Sequence, residues 1–112
     1  MKQYVIDELR PEDFRRVKTY LEKYFSTTKG IDGVYWVALD EKLLAGDQIE
    51  HHQCKPFYFA LELVAPDRLT CELLVRTKNK ISCTCIRYAD KTQRNWIIGV
   101  ADKILDALDI SI

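Results

Sequence analysis

The stretch "FYFALELVAPDRLTCELLVRTKNKISCTCIRY", Phe57 to Tyr88, decides the fold. It contains three apolar, β-branched runs separated by the short polar breaks Pro66-Asp67-Arg68 and Lys78-Asn79-Lys80. Breaks of that length predict antiparallel hairpins, and so a three-strand meander. Along the runs the odd positions are apolar: Phe59, Leu61 and Leu63, then Leu69, Cys71, Leu73 and Val75, then Ile81, Cys83 and Cys85. The even positions are mixed. Side chains directly opposed across a hairpin share a face, so odd residues have to meet odd residues. Three-residue loops achieve this by pairing Ala65 with Leu69 and Thr77 with Ile81. The odd face is then the buried one, and the cysteines on it are small apolar filler.

Working outward, "QYVIDEL" near the start reads as a possible extra strand. "LRPEDFRRVKTYLEKYF" reads as a helix, with Pro11 in its first turn and Glu12 and Asp13 at the positive end of the dipole. Arg10 takes the cap position, and Leu9 and Phe14 have the spacing of a hydrophobic staple. Phe14, Val17, Leu21, Tyr24 and Phe25 form its apolar stripe. "STTKGIDG" breaks the helix, and "VYWVAL", Val34 to Leu39, is a strand. The connection that follows holds Asp47 and Glu50 at capping-box spacing, predicting a short helix over about 48–53. Asp90 and Gln93 repeat that spacing ahead of a long helix with Ile97, Val100, Ala101, Ile104 and Leu108 on one side. The expected fold is α+β: an antiparallel sheet of about four strands, with a possible fifth at the N-terminus. Two long helices pack on one face, in the order (β)-α-β-α(short)-β-β-β-α.

The chain has 112 residues, 47% of them hydrophobic and 30% charged, the balance of one globular domain spanning 1–112. Seventeen basic residues offset seventeen acidic ones, so no global field draws nucleic acid or an anionic membrane. No apolar run suits a signal peptide or a membrane span, and a cytoplasmic location is expected, with the four cysteines reduced. Six basic residues between Arg76 and Arg94 against one acid form only a modest local patch.

Two groups of residues stand out as candidate sites. The first is the outer sheet face: Tyr58, Glu62, Glu72, Leu74, Arg76, Ile86 and Tyr88. In the register above, Glu62 opposes Glu72, an unfavourable like-charge pair, and Tyr58 opposes Arg76. On a regular strand Arg76 stands too far from Glu72 to offset the charge. A half-apolar outer face marks association, and the expected partner is protein, most simply a second copy in a two-fold homodimer. The second group is His51, His52 and Cys54. His51 and Cys54 are three residues apart and can share a helical face as two metal ligands, though a zinc site needs three or four. Completing it requires Cys71 or a carboxylate from elsewhere. There is no glycine-rich phosphate loop, nucleophile elbow, HExxH or EF-hand loop. The resulting expectation is a non-catalytic interaction domain without a cofactor. The alternative is a metal- or thiol-dependent protein using His51, His52 and Cys54.

Overall fold

The computed structural model describes residues 2–28, 31–77 and 85–111, the side chains of 26–28, 31, 32 and 52 excepted. It is an α+β layer. The strands are β1 (Gln3–Ile6), β2 (Ser26–Thr28), β3 (Ile31–Ala38), β4 (Phe57–Val64), β5 (Arg68–Glu72), β6 (Leu74–Thr77) and β7 (Arg87–Tyr88). The helices are α1 (Pro11–Tyr24), α2 (Gly46–Glu50) and α3 (Lys91–Ala107), with 3-10 turns at Glu41–Leu43 and His52–Cys54. The sheet runs β1-β5-β4-β3-β2, and β6 joins it by pairing with both β4 and β7. Every pairing among these strands is antiparallel.

For the described residues the alternation correctly assigned the faces. Phe57, Phe59, Leu61, Leu63, Leu69, Cys71 and Val75 are buried with Tyr35 and Val37 in one cluster. Val17 and Leu21 of α1, and Ile97, Ala101 and Ile104 of α3, cover that cluster. Trp96 sits at its rim, edge-on to Phe59 with ring centroids 6.0 Å apart. Asp90 and Gln93 form the expected box: Asp90 Oδ1 accepts the Gln93 N–H at 2.8 Å, and Gln93 Oε1 accepts the Asp90 N–H at 3.1 Å.

The register departs from the sequence expectation by two residues. Leu63 pairs with Leu69, Val64 with Arg68, and Glu62 with Thr70. The three-residue loop is therefore Ala65-Pro66-Asp67, and Glu62 does not oppose Glu72. A slip of two residues moves no side chain to the other face, so alternation fixes register only to within an even number. What fixes the rest is the company β5 keeps. Its other edge carries β1, where Glu72 pairs with Gln3, and the Asp67 carbonyl accepts the Leu9 N–H at 3.0 Å.

The second run is also broken. From Leu61 to Tyr58, β4 takes three steps while its partner takes five, from Cys71 to Arg76. The two surplus residues bulge the strand at Leu73, which is where its outer neighbour changes from β1 to β7. There the Leu73 N–H donates to the Lys2 carbonyl at 3.1 Å, and the Leu73 carbonyl accepts the Ala89 N–H at 2.7 Å. Below the bulge Tyr58 pairs with Arg76, as expected. On the far side Leu74 meets Tyr88 and Val75 meets Arg87, four residues out of the expected register. The expected partner of Thr77, Ile81, lies outside the described residues, as does Cys83.

Three further corrections concern ends and caps. "STT" continues as strand β2 where a break alone was expected, and β3 begins at Ile31. Gly33 has φ +81°, and a Cβ there would lie 2.8 Å from the Leu63 carbonyl oxygen. Tyr24, placed on the α1 stripe, is 57% exposed, and Tyr20 packs against the core instead. The short helix spans Gly46–Glu50 and not 48–53. It is held by the Gln48 side chain accepting the Ala45 N–H at 2.9 Å, not by an Asp47–Glu50 box.

Candidate functional site

The outer sheet face is built by the even positions of β3, β4, β5 and β6 and the odd positions of β1, as the pairings require. The two long helices lie on the opposite, buried side. Val34, Trp36, Tyr58, Val64, Leu74 and Ile86 are half-buried, while Val5 at 39% and Tyr88 at 41% are exposed. Ala60 and Thr70, at the centre of the face, are buried by their neighbours. A stripe of aliphatic and aromatic surface thus runs across the sheet, with Glu62 exposed beside it.

Charge on this face is resolved differently from the sequence expectation. Four residues along a regular strand span about 13 Å. The bulge at Leu73 shortens that path, and the Arg76 Nε donates to Glu72 Oε1 at 2.5 Å. Glu72 therefore has Arg76 as its counter-ion and Gln3 as its cross-strand neighbour, while Glu62 stands apart from it. Lys2 adds a cation 5.4 Å from the Tyr88 ring centroid. Of the basic residues expected to form a patch, Arg76 is spent on Glu72, and Arg87 pairs with Asp47 at 3.2 Å. Lys78 and Lys80 lie outside the described residues.

The second candidate group is rearranged. His51 ends α2, and the Cys54 N–H donates to the His51 carbonyl at 2.9 Å, a tight turn that holds the two residues together. The third member is Cys85, with the donor atoms of His51, Cys54 and Cys85 all within 4.8 Å of one another. Neither Cys71 nor a carboxylate fills that place, and the side chain of His52 is outside the described set. Cys54 and Cys85 are fully buried and His51 is half-buried. Among the described residues Cys54, Cys71 and Cys85 are all thiols, none joined in a disulfide.

Sequence reading missed what holds this corner, because nothing in the alternation distinguishes it. Gln48 and Gln93 are both completely buried. Gln93 Nε2 donates to Gln48 Oε1 at 2.9 Å and to the Leu43 carbonyl at 2.8 Å. Gln48 Nε2 in turn reaches the Cys85 carbonyl at 3.4 Å. The chain between β3 and β4 is thereby fastened to the start of α3 and to the segment carrying Cys85. The one available signal was Gln93 itself, which the capping box explained without demanding a second role.

Cys71 behaves differently. Burial, with a smaller push from Asp102, raises its thiol to about 12. Tyr4, whose hydroxyl donates to Asp102 Oδ1 at 3.3 Å, is also raised, first by burial and then by that carboxylate. A thiol held protonated beside a carboxylate is no nucleophile, and Cys71 is a core residue.

No protein-family model, no curated protein and no solved structure matches the chain in comparison. Among the described residues no helix is long and apolar enough to cross a membrane.

Proposed function

We propose that the chain is a non-catalytic protein-interaction domain of the cytoplasm that associates through its outer sheet face, first with a second copy of itself. The observation that carries this reading is the aliphatic and aromatic stripe of Trp36, Tyr58, Val64, Leu74 and Tyr88, on the face opposite the two long helices. An antiparallel sheet with one face in water shows a cleanly polar outer row, whereas this face is half apolar. Interfaces favour aromatic and arginine side chains at their centre, and Tyr58 sits directly across from Arg76 here. A two-fold axis lying in the plane of the contact, parallel to the face, sets the stripe against itself and gives each Arg76–Glu72 pair a drier environment. Unbridged thiols suit a reducing compartment.

Sedimentation equilibrium across a wide concentration range tests the reading. The wild type is expected to dimerise, and Leu74→Lys, a half-buried position on the stripe, to return it to a monomer with unchanged circular dichroism. A wild type that stays monomeric at every concentration, or a Leu74→Lys variant that dimerises equally well, removes the proposal.

A further inference from the structure

We propose that His51, Cys54 and Cys85 form a zinc site. The reading is independent of the sheet-face interface, because its residues lie in the connection ahead of β4 and in the turn ahead of β7.

The donor chemistry selects the ion. Two thiolates and one imidazole are the ligand types of zinc, which binds sulfur at about 2.3 Å and nitrogen at about 2.0–2.1 Å. In a tetrahedron with those bond lengths, neighbouring donors stand about 3.6–3.8 Å apart. The three donor atoms here already lie within 4.8 Å of one another, so contraction by about 1 Å of side-chain movement closes the site. Three ligands from two separate segments converge here, and the convergence is fastened. The Arg87–Asp47 ion pair at 3.2 Å joins the two segments on one side. The contact from Gln48 Nε2 to the Cys85 carbonyl joins them on the other. The Thr77 hydroxyl donates to the Cys54 carbonyl and fixes the turn from the sheet side.

Binding balances simply: the ion enters as the divalent cation, two thiol protons leave to the buffer, and no oxidant is required. Cys54 and Cys85 are shielded from solvent, with half-buried His51 at the rim, so the three protein ligands leave one position for water or a fourth donor. The consequence is a clip between the β3–β4 connection and the segment leading to β7, which couples metal binding to stability.

The test uses the full chain purified without chelator. Elemental analysis is expected to find one zinc per chain. Substitution with cobalt is expected to give the thiolate charge-transfer band and the intense visible bands of tetrahedral geometry. In equilibrium competition with a chromophoric chelator, His51→Ala and Cys85→Ser are each expected to weaken zinc binding by more than about 100-fold, beyond the usual loss for an outer-sphere partner. His51 is half-buried, so its variant is expected to keep the wild-type circular dichroism even if a buried-cysteine variant fails to fold. Three results overturn the proposal: no zinc uptake, a disulfide between Cys54 and Cys85 in the purified protein, or unaltered affinity in folded His51→Ala.

Discussion

Replacing Gln93 by leucine isolates the polar knot that the fold buries beneath α3. Leucine is no smaller than glutamine, so the substitution leaves no cavity. The substitution removes the bond from Nε2 to the Leu43 carbonyl at 2.8 Å and the one to Gln48 Oε1 at 2.9 Å. It also removes the acceptor of the Asp90 N–H at 3.1 Å. Gln48 keeps the Ala45 N–H as a donor, but the Leu43 carbonyl loses its side-chain partner. Three net hydrogen bonds at about 1 kcal/mol each, with about 1–2 kcal/mol for a carbonyl left without its donor, give about 4–5 kcal/mol of loss. Burying leucine in place of an amide returns about 1–2 kcal/mol. The expected net destabilisation is about 3 kcal/mol, or a fall of roughly 10 °C or more in melting temperature for a domain of this size. Urea denaturation followed by tryptophan fluorescence measures it, with the midpoint moving and the slope unchanged. The cycle with Gln48→Leu is expected to show coupling of about 1–2 kcal/mol, because the two amides share a bond. A loss below about 1 kcal/mol with no coupling would refute the claim that this knot holds the β3–β4 connection in place.

Gly33→Ala is expected to cost about 2–4 kcal/mol, since φ is +81° and the new Cβ would meet the Leu63 carbonyl oxygen at 2.8 Å; thermal melting checks it. The Cys71 thiol, raised from 9.0 to about 12, makes a signed pH prediction. The unfolded thiol ionises first, so the stability this group provides is intact below about pH 9 and is lost as pH rises toward 12. Melting temperatures of wild type and Cys71→Ala, followed from neutral to alkaline pH, are expected to converge; parallel curves would show that the thiol ionises equally in both states. Arg76→Met is expected to cost less than about 1 kcal/mol, with a smaller cost at high salt, because the Arg76–Glu72 pair is partly open to solvent.

The residues of the outer face were legible in the sequence, and their contacts were not. Tyr58 opposite Arg76 followed from alternation, while the Glu62–Glu72 clash vanished with a slip that alternation cannot detect. The Glu72–Arg76 contact depends on a bulge that exists because one strand serves two different neighbours, and no local pattern carries that information. Likewise His51 and Cys54 were paired by their spacing, which is a property of one turn. Cys85 joined them through a long-range approach, after its odd position had favoured core packing over metal use.

By itself the sequence determined what short-range physics controls: helices from periodicity and caps, strands from β-branched runs, and the buried face from a period of two. It thereby determined that Cys71 and Cys85 lie inside. Tertiary structure alone decided how far each strand slides, where the meander breaks, and which distant side chains meet. The reason is that burial depends on the parity of a residue, whereas contact depends on its absolute position along a neighbour. That position is set by the flanking strands β1 and β7, with the Gln48–Gln93 knot fastening the connection that precedes β4.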